Sequence, residues 1–112
     1  MPEFENLKMA DLLKAMRGDI MRIEEARNAR LIKEAGEHLQ EIYKFHLANK
    51  ACFAKEEHSL KNLYSAYNFA ASLIKEAVLT KTPIHEVEKL DECLEIMINL
   101  CDNLIARLTA KN

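Results

Sequence analysis

A chain of 112 residues is long enough for one domain with its own core, and a net charge of −2 argues against a nucleic-acid binder, which would carry a basic face or stripe. With 49% hydrophobic residues but only two Gly, two Pro and no Trp, the composition favours helices over sheets and loops. No run of about 18 apolar residues is present to cross a membrane, and Met1-Pro-Glu-Phe-Glu5 lacks the basic and apolar regions of a secretory signal, so a cytoplasmic location is expected.

Residues 7–47 read as helix almost throughout. As one rod they would span about 60 Å, against about 36–40 Å for each later helix. Leu12, Leu13, Met16, Ile20 and Ile23 share one face. Leu31, Ala35, Leu39, Ile42 and His46 share another, rotated by roughly a quarter turn. Between them Glu24 to Arg30 holds no large apolar residue. Arg22, Arg27 and Arg30 fall in or beside this stretch, diluted by Glu24 and Glu25, and read as a solvated face. Two arrangements fit the change of phase. The chain can turn near Asn28 and make a four-helix bundle. Otherwise a bent helix continues, and Met9, Leu12, Leu13 and Met16 pack on a second copy as a dimer interface. The absence of Gly and Pro from the stretch favours the continuous helix. Gly18 and Gly36 mark a bend, a close helix approach or a simple tolerated glycine.

Ala48 to Lys55 reads as a link. A helix over 57–80 follows, with Leu60, Leu63, Tyr67, Ala70, Ile74 and Ala77 stepping by three and four. Thr82 can cap a last helix, and Pro83 suits its first position, which predicts a helix over 83–109. There Val87, Leu90, Leu94, Met97, Cys101, Leu104 and Leu108 form one stripe. Cys93, Ile96, Ile98, Leu100 and Ile105 widen it to roughly 200° of the wheel, against the roughly 100° that docking on one neighbour needs. The fold class expected is all-α: an antiparallel bundle of three to four helices in a single domain, with the first helix bent or broken near Asn28.

Motifs for chemistry are sparse. Zinc would want Cys-x-x-Cys or paired Cys/His spacings, and here no two cysteines lie closer than eight residues. Cys93 and Cys101 lie about 12 Å apart along one helix, too far for a disulfide, so all three thiols are expected to be reduced and mostly buried. Glu34, His38 and His46 fall near one helical face and read as core-edge residues. Glu34/Glu37 and Glu88/Asp91 have the spacing by which helical nucleotide hydrolases hold magnesium, a pattern that chance supplies among 18 acidic residues. Ser59, Ser65 and Ser72 lack a Gly-rich elbow, and two glycines cannot build a phosphate loop. The chain is therefore expected to have no catalytic residues, no metal and no cofactor. Tyr64, Tyr67 and Phe69, with Tyr43 and Phe45, read as core aromatics with hydroxyls at the rim, or as a groove for an amphipathic partner helix.

The segment Asn62-Leu-Tyr-Ser-Ala-Tyr-Asn-Phe69, then Leu73, Ala77 and Leu79, then Ile84-His-Glu-Val-Glu-Lys-Leu90, resembles the second half of the flagellin-specific export chaperones (the FliS family). Leu12-Leu13, Gly18, Ile20, Ile23 and Ala26 are similar to that family's first helix, and Asn28 to Ala35 with Glu41-Ile42 to its second. The resemblance implies a non-enzymatic protein that holds the helices of a secreted or flagellar partner in apolar grooves. Tyr64, Tyr67, Phe69, Leu73, Ile96 and Leu100 are the expected partner-binding residues. Two alternatives are a purely structural homodimeric bundle and a small magnesium-dependent nucleotide hydrolase.

Overall fold

The computed structural model describes residues 3–26 and 28–110. They form four α-helices: α1 (Phe4–Ala26), α2 (Leu31–Ala48), α3 (Glu57–Thr80) and α4 (Leu90–Leu108). Short 3₁₀ segments lie at Lys50–Glu56 and Ile84–Glu86, and there is no strand among the described residues. Lys8 against Phe45 and Asp19 against His38 align α1 antiparallel to α2. Tyr43 against Tyr64 and Ile32 against Tyr67 do the same for α2 and α3, and Ser59 against Arg107 with Ala66 against Cys93 for α3 and α4. The result is an up-down-up-down bundle of 48 × 22 × 19 Å.

Every helix buries a stripe spaced by threes and fours. In α1 it is Met9, Leu13, Met16, Ile20 and Ile23; in α2, Ala35, Leu39, Ile42 and His46. In α3 it is Leu60, Leu63, Ala70, Ile74 and Ala77; in α4, Leu90, Leu94, Met97, Cys101, Leu104 and Leu108. Phe53 of the first 3₁₀ segment closes one end of this core. The wide apolar arc of α4 is explained by its place: it packs extensively on two other helices, α1 and α3. α1 likewise touches α2 and α4, while the seam between α2 and α3 is the thinnest in the bundle.

The first two helices do not run on as one rod. The chain turns at 28–30, where the Asn28 side-chain oxygen accepts the Arg30 N–H at 3.0 Å and the Asn28 carbonyl accepts the Leu31 N–H at 3.1 Å. An asparagine side chain thus builds the turn without Gly or Pro. Arg27 lies outside the described residues. With the rod folded back on itself, Met9, Leu13 and Met16 are fully buried in the chain's own core and Leu12 packs against it. They are not a dimer interface; the overhang that would have exposed them does not exist.

The last helix also starts later than Thr82 and Pro83 suggest. Lys81 is left-handed (φ 56°), and the Thr82 N–H reaches back to the Ala77 carbonyl at 2.8 Å while the Lys81 N–H reaches Val78. This is a Schellman stop with lysine where glycine is usual. Pro83 is extended (φ −59°, ψ 139°), and Lys89, again left-handed (φ 68°), leads directly into α4. A β-carbon in this region costs about 1 kcal/mol or more. Lys81→Gly and Lys89→Gly are each expected to raise stability by about 0.5–1 kcal/mol, read as a higher urea midpoint at unchanged slope.

Candidate functional site

α3 presents apolar side chains on both of its flanks. On the α2 side a groove of about 450 Å³ is lined by Gly36, Leu39, Gln40 and Tyr43 of α2 and by Tyr64, Tyr67 and Asn68 of α3, with Lys33 and Glu37 at its edge. It opens where the α2–α3 seam is thin. Two phenols cross that seam. The Tyr67 hydroxyl donates to the Ile32 carbonyl at 2.8 Å, and the Tyr64 hydroxyl shares a hydrogen bond with His46 Nδ1 at 3.0 Å. Gly36 makes the first possible, because a β-carbon there would collide with the Tyr67 hydroxyl and lie 2.9 Å from its ring carbon Cζ. Burial raises the pKa of both phenols, so they stay neutral. The hydroxyls therefore point inward to helix partners rather than reaching the rim.

On the α4 side, Phe69 (50% exposed) and Ile96 (47% exposed) flank a second hollow, of about 400 Å³, with Ala66 and Cys93. The Cys93 thiol donates to the Ala66 carbonyl at 3.1 Å. The six residues expected to bind a partner thus fall into separate groups. Tyr64 and Tyr67 share the α2–α3 groove, Phe69 and Ile96 share the α3–α4 hollow, and Leu73 and Leu100 are partly buried against the core away from both.

Two buried polar residues sit elsewhere in the bundle. Asp19, 1% exposed, is held between Arg22 of its own helix and His38 Nδ1 of α2. Asp19 belongs to no motif in the sequence; only its place beside Met16 and Ile23, three from Arg22, hints at burial. His38 is half-buried beside it, as a core-edge residue would be, whereas His46 lies inside, 4% exposed, against Phe53 and Tyr64.

Burial lowers the His46 pKa below 6.5, helped by Lys50 and Lys61 and opposed by Glu57. The unfolded chain takes up this proton near 6.5 while the folded one resists it, so the stability His46 contributes is present above 6.5 and is lost as pH falls towards the folded value. The urea midpoint of the unmodified chain should therefore fall more between about pH 7.5 and about pH 5.5 than that of His46→Gln.

Cys101 is buried and its thiol is pushed up to about 12 by desolvation, whereas Cys52 is exposed, contrary to the expectation that all three thiols are mostly hidden. Among the described residues the one grouping of metal-capable side chains is Glu3, Glu5 and Cys52, at one end of the bundle. Glu34, Glu37, His38, Glu88 and Asp91 do not assemble into such a grouping. No helix is long and apolar enough to cross a membrane among the described residues. No protein-family model, curated protein or solved structure matches the chain.

Proposed function

We propose that this protein is a non-enzymatic, cytoplasmic helical binding module whose partner is another protein docking along α3. The observation that carries this reading is the open α2–α3 groove, where three tyrosines line a hollow that aliphatic packing would otherwise fill. Phe69 and Ile96 on the opposite flank extend the apolar surface around the same helix. A large apolar side chain gains about 1.5–3 kcal/mol on burial, so several left open around one helix favour an occupant. An export-chaperone-like adaptor that shelters an amphipathic segment of a secreted or flagellar protein is one form of this reading. Its support is that Tyr64 and Tyr67 of the Leu-Tyr-Ser-Ala-Tyr segment line the groove.

The test places a photo-reactive benzoylphenylalanine at Gln40, at Phe69 and, as a control on the outer face of α1, at Lys14, all three exposed. Irradiation in the native extract should give an adduct with a different protein from Gln40 and Phe69 but not from Lys14. Adducts of the chain with itself alone would establish the homodimeric alternative instead, and no adduct from either site would end the docking reading.

A further inference from the structure

One nitrogen lone pair joins α2 to Tyr64, a wall of the α2–α3 groove. The Tyr64 hydroxyl and His46 Nδ1 lie 3.0 Å apart. Tyr64 makes no other hydrogen bond to the described residues, so a proton on Nδ1 would leave the phenol's own proton without an acceptor there. Tyr64 is therefore the donor and Nδ1 the acceptor, which places the ring's proton on Nε2. Nε2 has no partner among the described residues, and no buried side-chain nitrogen lacks one, so Nε2 meets water. A neutral imidazole has a single free lone pair, and here it points inward and is already in use. A second proton can enter only at Nδ1. Nδ1–H must then donate, and Tyr64 must turn its own proton elsewhere.

The surroundings resist the resulting cation. His46 is 4% exposed and meets the Phe53 ring edge to face. Lys50 and Lys61 of α3 oppose its charge, while Glu57 favours it from a position 3.8 Å from Lys61. Tyr43 stands against the far side of Tyr64. Of the other two helices, Lys8 lies over Phe45 and Arg107 donates to Ser59, and the acidic Glu3 and Glu5 gather with Cys52. We infer that the α2–α3 groove is gated by pH: in mild acid a proton on His46 Nδ1 ends the Tyr64 donation, turns that hydroxyl towards the groove and loosens the groove's wall, so an apolar occupant held at neutral pH is released. The occupant rests on the docking reading above; the competition for the lone pair does not. Burial lowers the His46 pKa, so the bond is intact above 6.5 and is lost as pH falls through the lower folded value. The bond from Tyr67 to the Ile32 carbonyl has no partner that titrates in this range, so the rest of the seam holds.

Imidazole nitrogen and tyrosine ring resonances of the full chain are followed by NMR from about pH 8 to about pH 5. At the upper end His46 should show the Nε2–H tautomer. The Tyr64 ring should then shift with the same midpoint as His46, while the methyl groups of Met16 and Met97, fully buried in α1 and α4, keep their native positions. Tyr64→Phe, which frees the lone pair, should raise the His46 midpoint by about 0.5–1 pH unit. His46→Gln should abolish the Tyr64 titration, and His58→Gln, at an exposed position of α3, should leave it in place. An Nδ1–H tautomer at neutral pH, a Tyr64 ring that does not follow His46, or core methyl signals lost at the same midpoint overturns the gate. The Gln40 cross-link is also run at about pH 7.5 and about pH 5.5. Its yield should fall several-fold in the unmodified chain and hold in a His46→Gln background. Equal yields at both pH values overturn the release of the occupant. No adduct at neutral pH refutes the docking reading instead, and the tautomer and titration then decide the competition for the lone pair by themselves.

Discussion

His38→Leu should destabilise the protein by about 2–3 kcal/mol, while the double variant Asp19→Leu/His38→Leu should lie within about 1 kcal/mol of the unmodified chain. The asymmetry comes from what each change leaves behind. Asp19 is 1% exposed, and its two oxygens are divided between His38 and Arg22. Removing the imidazole strips one buried carboxylate oxygen of its donor and puts no water in its place. Replacing both partners removes the buried charge altogether, and the site then sits among Met16, Ile20 and Ile23 as part of an ordinary apolar stripe. Urea denaturation with a double-mutant cycle measures this. In thermal melts the single variant should fall by roughly 8–13 °C at the unfolding entropy usual for a chain of this size. A single variant as stable as the starting protein would mean that Asp19 is wet. A double variant as poor as the sum of the singles would mean that packing, not charge, dominates the site.

Alanine should have opposite effects at the two glycines. A β-carbon added at Gly18 meets nothing within 4 Å, so Gly18→Ala should stabilise α1 by the helix-propensity difference, about 0.5–1 kcal/mol. Gly36→Ala makes the same gain in propensity but collides with the Tyr67 hydroxyl and ring, whose Cζ is 2.9 Å away. Tyr67 can escape only by breaking its bond to the Ile32 carbonyl, so the net change is expected to be a loss of about 1–2 kcal/mol. In a Tyr67→Leu background the collision is gone, and Gly36→Ala should then be neutral or stabilising. If Gly36→Ala stabilises the unmodified chain, the phenol is not held across the seam as described.

Much of the architecture is legible from periodicity alone. The span of α3, about 57 to 80, is legible because it has a regular stripe, acidic residues near its start and a change of composition at its end. The helix ends marked by unusual chemistry cannot. Lys81 and Lys89 hold the left-handed conformation that a reader expects of glycine, so Thr82-Pro83 looks like the start of a helix that begins seven residues later at Leu90. The turn at 28–30 hides in the same way, because Asn28 supplies with its side chain what Gly or Pro would have supplied with the backbone. That hidden turn also misplaces Met9, Leu12, Leu13 and Met16. Once the chain folds back, α1 at 23 residues matches α3 at 24, and nothing overhangs. The aromatic groove is half legible. Tyr64 and Tyr67 stand out with Phe69, and Tyr43 with Phe45, but that the three tyrosines share a groove without either phenylalanine, that Gly36 admits Tyr67, and that Tyr64 and Tyr67 point their hydroxyls inward, depends on contacts between helices that one-dimensional spacing does not record.

The thin seam between α2 and α3 is fastened at two points, by Tyr64 to His46 and by Tyr67 to Ile32. Interdigitated aliphatic side chains separate gradually, but a directional bond is either made or broken. A boundary closed in this manner has a small number of discrete states, like a strap with two buckles. Losing either fastening leaves that seam held at a single point, while the packing of α1 on α2 and α4 holds the rest of the bundle in register.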